Sequence, residues 1–342
     1  MAYTTIDDPE AYFQVKIYTG DGTAIGSGGL ALTLDGDTDM QPDLIWIKCR
    51  SNNDAHAGYD AVRGTNKRIG INEPDAESSQ TEGLATFGSD GFTVGSLNAS
   101  NGSSRTYVAW CWKESAVSGM DIVAYTGNGT DDTDISHNLS AVPKMIIVKN
   151  RDAADAWQVY HGANTAAPET DYLVLNTNAV TVDAADRWSD EAPTSSVFTL
   201  GDADEVNTNT EDYIAYLFAE KQGFSKFGTY VGTNNADGTF VYTGFRPAFI
   251  MTKSTSTGAD DAYSWAMFDN KRSSYNIERA MLKANIANVE VDNNSNADVD
   301  FLSNGFKPKA SPNETNGANT YIYMAFAEAP FVNSNGVPCN AR

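Results

Sequence analysis

The chain has 342 residues, with 23 Lys and Arg against 45 Asp and Glu, for a formal net charge of −22. A length of this order predicts two or three domains, and the acidic balance excludes nucleic acid, whose phosphates would be repelled and would find no basic stripe. It also disfavours anionic membrane surfaces, and no run approaches the roughly eighteen consecutive apolar residues of a membrane helix.

In chain order, the start Met1-Ala2-Tyr3-Thr4-Thr5-Ile6-Asp7-Asp8 has no basic region and no apolar run, so it does not read as a secretion signal. Gly26-Ser27-Gly28-Gly29 lacks the Gly-Lys-Ser/Thr of a phosphate loop and reads as a turn. Asp35, Asp37 and Asp39 place carboxylates at alternate positions, as at the start of a calcium loop. The glycine and glutamate that an EF-hand needs are replaced by Met40 and Trp46, which leaves only a looser calcium site. Asp131, Asp132 and Asp134, and Asp202, Asp204 and Glu205, carry the same reading.

Pro42 then precedes an almost continuously apolar word, Leu44-Ile45-Trp46-Ile47-Lys48, the pattern of a central strand covered on both faces. Its proline stands at the strand entrance, where a missing N–H is tolerated. His56, Tyr59-Asp60 and Arg63 follow, then Asn72 and Phe92. Tyr107-Val108-Ala109-Trp110-Cys111-Trp112 closes the stretch with bulky residues at every second position, a strand with one face in a core.

The same words return. The closing strand recurs from Tyr213 and from Tyr321, at spacings of 106 and 108 residues. The post-proline strand recurs after Pro143 and Pro247, each time ending in lysine (Lys48, Lys149, Lys253). Tyr59-Asp60 returns as Tyr160-His161 and Phe268-Asp269, Asn72 as Asn176 and Asn285, and Phe92 as Phe198 and Phe306. Fixed order at a fixed long period predicts a small domain copied twice, with units 1–118, 119–224 and 225–342. Short strands broken by Gly, Asn, Asp and Ser every eight to twelve residues predict an all-β chain. The expectation is three tandem antiparallel β-sandwiches of jelly-roll or concanavalin-like type. Linkers at 115–120 and 221–225 are too short for free swinging, so the three should pack into one body. The one helical pattern lies at 277–287. Three cysteines without a repeated framework suggest reduced thiols, with a Cys49–Cys111 bridge the one pairing the strands would allow.

The opening nine residues through Pro9, the 41–48 and 59–64 words, 219–230 and Ala327-Glu328-Ala329-Pro330-Phe331-Val332 together resemble a recurrent family. It comprises structural proteins of tailed, especially marine, bacteriophages, whose function is uncharacterised. The resemblance implies a virion component made in the host cytoplasm, with a sandwich fold, other virion proteins as partners and no catalytic motif. By analogy it implies a homo-oligomer, with a trimer favoured.

The residues carry no GxSxG, HExxH, paired CxxC or P-loop. Glu114, Glu220 and Glu328 close the same strand of each copy, which reads as structure instead of a hydrolytic pair. Asp60 with Arg63, repeated as Asp269 with Arg272, reads as a structural ion pair or a polar recognition pair. The repeated lysines suggest a snorkelling stem or a local ion pair. His56, Tyr59, Asp60 and Arg63 are the candidate binding residues, with Trp188 and Tyr275 as loop aromatics that stack on sugars or cover a seam between copies. Three functions follow: a tail- or fibre-associated surface protein binding host surface or glycans, a head decoration or connector protein, and a carbohydrate-active enzyme. Specificity is expected where the copies disagree, at 35–40, 56–59, 183–193 and 288–300.

Overall fold

The computed structural model describes residues 2–258, 261–273, 275–292, 298–311 and 313–339. The first third forms β1 (Phe13–Thr19), β2 (Leu30–Thr33), β3 (Leu44–Cys49), β4 (Ala57–Asp60), β5 (Lys67–Gly70), β6 (Ser78–Ser79), β7 (Leu84–Gly88), β8 (Gly91–Val94) and β9 (Thr106–Trp112). The middle forms β10 (Met120–Thr126), β11 (Thr133–Ser136), β12 (Pro143–Asn150), β13 (Gln158–His161), β14 (Asp171–Val174), β15 (Val182–Asp183), β16 (Val197–Leu200) and β17 (Asp212–Ala219). The last forms β18 (Ser225–Val231), β19 (Val241–Tyr242), β20 (Phe245–Ser254), β21 (Ala266–Asp269), β22 (Leu282–Lys283), β23 (Val299–Leu302), β24 (Gly305–Pro308) and β25 (Thr320–Pro330). The chain is all-β, and its strand pairs are antiparallel. Among the described residues no helix is long and apolar enough to cross a membrane.

Three large sheets share one strand order: β1-β9-β3-β4-β5-β6, β10-β17-β12-β13-β14-β15 and β18-β25-β20-β21-β22. The registers correspond, Phe13 opposing Trp112 as Met120 opposes Phe218 and Ser225 opposes Phe326. Smaller sheets, β2-β8-β7, β11-β16 and β19-β24-β23, accompany them. We refer to β1–β9, β10–β17 and β18–β25 as the first, second and third lobes.

The closing strands differ from their expected one-sided burial. In β9, Tyr107, Ala109 and Cys111 face an apolar cluster confined to the first lobe, where the smaller sheet contributes Leu32, Leu84, Phe92 and Val94. Val108, Trp110 and Trp112 face the other way, into a second core shared by all three lobes. Alanine suffices on the first face because a second sheet already covers it. The bulk on the second face fills the space where three sheets meet. Trp112, Phe218 and Phe326, equivalent in the three lobes, stand with ring centroids 6.3, 6.0 and 5.8 Å apart, a nearly equilateral cluster within the shared core. Beside them is an apolar void of about 20 Å³ that Trp46, Trp112 and Phe249 help to line, close to the size of one water but without polar partners to hold it.

Residues 277–287 are not helical. Glu278 bridges Val299, Met281 bridges Val291, and β22 pairs with β21. Sheet pairing that buries Met281 and Leu282 overrides local propensity here. Cys49 and Cys111 are buried free thiols.

Candidate functional site

Three of the residues singled out from the sequence, His56, Asp60 and Arg63, lie at seams between lobes instead of on an open surface. Where the first lobe meets the second, Asp60 and Arg63 form an ion pair with both side chains wholly buried. The Arg63 backbone N–H donates to Asp60 Oδ1 at 2.8 Å, a turn in which the acid side chain stands in for a backbone acceptor. Arg63 Nη1 donates to Glu77 Oε2 at 3.1 Å, and Arg151 Nε of the second lobe donates to the same carboxylate at 3.1 Å. The Tyr216 hydroxyl, also from the second lobe, donates to Asp60 Oδ2 at 2.8 Å. Burial works against ionising Glu77, but Arg151 and Arg63 outweigh it and hold its carboxyl below the usual range.

The seam between the third and first lobes repeats this arrangement. Asp269 pairs with Arg272, Arg272 Nη1 donates to Glu290 at 2.9 Å, and Arg50 Nη2 of the first lobe donates to Glu290 at 2.7 Å. Trp110 Nε1 donates to Asp269 Oδ2 at 3.0 Å, as Tyr216 does to Asp60. At the remaining seam His161 holds the acid's place and Met324 the donor's. With no donor to accept from, His161 Nε2 instead bonds the Tyr323 carbonyl at 3.1 Å. Ala163 N–H donates to its Nδ1, which fixes the proton on Nε2. Burial lowers the His161 pKa to about 4, so the ring is neutral. Asn164 stands for the arginine, Thr181 for the glutamate and Thr255 for the second arginine. Thr181 Oγ1 donates to Asn164 Oδ1 at 2.7 Å, and Thr181 N donates to Thr255 O at 3.1 Å.

His56 is buried in the third–first seam. It accepts from Trp46 Nε1 at 2.8 Å and bonds the Ile286 carbonyl at 3.1 Å, and burial first, then Lys48, push its pKa well down. Trp157 and Trp265 occupy the same slot and donate across their seams to Gly70 O and Val174 O. Tyr59 lies in the first lobe's core. Trp188 is no exposed aromatic; it is buried edge-to-face against Tyr160, where the second lobe's core reclaims its surface. Tyr275 stands apart and is 80% exposed. These six candidates therefore form no common open site. The three lysines neither snorkel nor form the expected ion pair. Each is wholly buried with Nζ donating to the next residue's carbonyl and to a loop carbonyl, Asn52 O, Ala153 O or Asn178 O, and burial lowers each pKa to about 8. Asp35 pairs with Lys16 at 2.5 Å. Among the described residues no three His, Cys, Asp or Glu side chains group to hold a metal.

An open site lies elsewhere, on the third lobe. A cleft of about 220 Å³ is lined by Tyr3, Glu220, Gln222, Lys226, Tyr242 and Gly244. A wider one of about 570 Å³ adjoins it through Tyr3 and Gln222 and reaches Ser334 and Asn335. Tyr3 donates to the Gly244 carbonyl at 2.7 Å, which leaves the Tyr242 hydroxyl to donate to Tyr3 across 3.2 Å. Gly244 has φ +85°, where any other side chain is strained, and a Cβ there would stand 2.7 Å from the Tyr3 hydroxyl and displace it. Burial, and next the Tyr242 hydroxyl, raise the Tyr3 pKa and keep it a neutral phenol. Glu220 is held by Lys226 at 2.7 Å.

A family model described as a domain of unknown function, DUF7483, matches residues 8–330. The chain belongs to this family. No curated protein and no solved structure matches it.

Two sets of structural residues in this DUF7483 chain escape a reading of the sequence words. Asn101, Asn207 and Asn316 are wholly buried and accept the N–H of Asp21, Asn128 and Thr233 at 2.9 Å each, tying the first strand's exit to the loop before the closing strand. Glu77, Thr181 and Glu290 each stand five residues past the recurrent asparagine, and Arg50, Arg151 and Thr255 two past the recurrent lysine. Those fixed offsets were the available signal. Of the loop 288–300, residues 293–297 lie outside the described residues.

Proposed function

We propose that the chain is a non-enzymatic structural protein of a tailed-phage virion, associated with the tail or fibre and exposed to the host surface. In this reading the lobes are three tandem jelly-roll or concanavalin-like sandwiches, residues 1–118, 119–224 and 225–342, copied from one ancestor. Matching strand orders and a separate apolar cluster for each lobe support that division. The family resemblance of the sequence words supplies the virion. The observation that carries the structural role is the shared core. Polar residues that recur between copies are spent on joining the lobes, which suits a rigid part of a particle. A hydrolase would need two carboxylates beside its substrate, whereas Glu220, the carboxylate lining the cleft, is engaged by Lys226. Partners in this reading are other virion proteins and a host surface polysaccharide or receptor.

A second reading, a head decoration or connector protein, draws on the Trp112–Phe218–Phe326 cluster. Three similar lobes around one axis could occupy a quasi-threefold position on a capsid. Reconstruction of the intact virion decides between them. The tail reading expects density on the tail and binding of purified protein to intact host cells, and a location confined to the capsid overturns it.

A further inference from the structure

We infer that the third lobe binds a neutral polysaccharide through Tyr242, Phe240 and the cleft beside them. The inference deepens the proposed attachment role and rests on that role for the origin of the glycan.

The three lobes differ at one outward-facing surface. Leu32, Ile135 and Val241 are equivalent, since each opposes the recurrent phenylalanine, Phe92, Phe198 or Phe306. Their neighbours point outward. In the first lobe these are Ala31 and Thr33, in the second Asp134 and Ser136, in the third Phe240 and Tyr242. The last residue of the first strand is Thr19, Thr126 or Val231, opposing Thr106, Asp212 or Thr320. Only in the third lobe are all three positions apolar or aromatic, and there they are exposed: Val231 63%, Phe240 45% and Tyr242 53%. Thr239 Oγ1 donates to the Val231 carbonyl, which keeps the two strands' apolar ends together. Phe240 lies over Gly305, where a Cβ would come within 3.0 Å of its ring. Leaving large apolar side chains grouped in water is unfavourable, and such patches mark contact sites.

Tyr242 belongs to both the patch and the cleft, so an aromatic face continues into a polar trough. The trough offers the two phenol oxygens as acceptors, their protons being engaged by the Gly244 carbonyl and Tyr3, together with the Gln222 amide and, in the wider part, the Asn335 amide and the Ser334 oxygen, whose proton goes to Asp7. Its two charges, Glu220 and Lys226, cancel in one ion pair. Aromatic faces with neutral hydrogen-bonding groups match a pyranose, which presents C–H faces and hydroxyl edges. A chain of net charge −22 repels acidic polymers, so the occupant is a neutral glycan.

The test is affinity electrophoresis of the full chain through gels holding agarose, dextran or a neutral mannan, with alginate as the acidic probe. The expected result is retardation by at least one neutral polymer, weakened about tenfold by Tyr242→Ala and less by Phe240→Ala. Thr33→Ala, at the equivalent first-lobe position, should leave it unchanged. Thermal melting confirms that each variant folds. Retardation by none of the neutral polymers, retardation by alginate alone, or indifference to Tyr242→Ala overturns the inference. So does a dimer in sedimentation that Tyr242→Ala dissolves without any glycan binding, since the patch would then be a self-interface. Virion location is measured separately: a tail-located chain that ignores glycans sinks only this inference, and a glycan-binding chain found only on the capsid sinks only the tail reading.

Discussion

The seam between the second and third lobes occupies the same place in the fold as the other two, yet its four corresponding side chains are uncharged where theirs are ionic. Asp60, Arg63, Glu77 and Arg151 at one seam, and Asp269, Arg272, Glu290 and Arg50 at another, become His161, Asn164, Thr181 and Thr255 at the third. The donor facing the acid changes too, from Tyr216 and Trp110 to Met324. Five positions differ together, and the side chains at the two ionic seams form one connected chain of contacts. A buried charge left without its counterpart costs several kcal/mol, so an exchange that strands the inner acid or its arginine without a partner is unfavourable. One seam geometry thus accommodates either an ionic or an uncharged set of side chains.

The largest effect should come from breaking an ionic seam at its middle. Arg272→Met leaves Asp269 and Glu290 facing each other in a buried site and should cost about 3–5 kcal/mol, read by urea unfolding. Loss below about 1 kcal/mol would mean that the carboxylates reach water or a proton without the arginine.

Acid should discriminate among the seams next. His161 stays neutral down to about pH 4 in the fold, whereas an unfolded histidine takes up a proton near pH 6.5. Between those values the unfolded chain binds more protons, so this contribution is complete above pH 6.5 and is lost as pH falls toward 4. It amounts to roughly 3 kcal/mol. His56 acts in the same direction at the third–first seam. Glu77 and Glu290, with lowered pKa values, lose their contribution only as pH falls through the carboxylate range. The first–second seam has Asp60 and Trp157 in the two histidine slots and should be the last to loosen. Hydrogen exchange at pH 5 against pH 7.5 should show protection falling at Thr181 and Glu290 before Glu77. Simultaneous loss at all three would refute the ordering.

Much of this scaffold was legible in the sequence, because recurrent words report positions under the same packing demand. The apolar strand after each proline, the alternation of Trp110 and Trp112, and the lysine at the strand's end all fall in equivalent places. Alternation alone could not say that Ala109 and Cys111 also face a core, since small residues read as exposed until a second sheet is known to cover them. Nor could it place Trp188, a loop residue by pattern that tertiary packing buries. The cleft was hidden for a different reason. Tyr3, Gln222 and Tyr242 are far apart in the chain and meet only after the lobes close. Comparing copies at Phe240 and Tyr242 needed the register of β19 against β24, which no spacing supplied.

A smaller effect is expected from rebuilding the inner half of an ionic seam at the neutral one. His161→Asp alone buries an acid against the Tyr323 carbonyl, and Met324→Tyr alone buries a hydroxyl facing a ring whose only remaining nitrogen, Nδ1, already accepts from Ala163. Together they recreate the Tyr216–Asp60 contact. A double-mutant cycle should therefore return a favourable coupling of about 1–3 kcal/mol. Additivity would show that the two positions do not meet as their equivalents do.

The smallest effect should come from the outer half. Thr181→Glu with Thr255→Arg copies Glu77 with Arg151, whose arginine side chain retains 19% exposure, or Glu290 with Arg50, at 21%. Ion pairs reached by solvent are worth about 0–1 kcal/mol. The introduced carboxylate would gain one further partner, because the Asn164 amide nitrogen is buried without an acceptor. The pair should thus shift stability by no more than about 1 kcal/mol, in the stabilising direction, and the gain should shrink in high salt. A gain above about 2 kcal/mol that persists in salt would place the strength of the charged seams at their outer ends. The neutral seam would then be a weak point of the molecule, not an equivalent solution to the same packing problem.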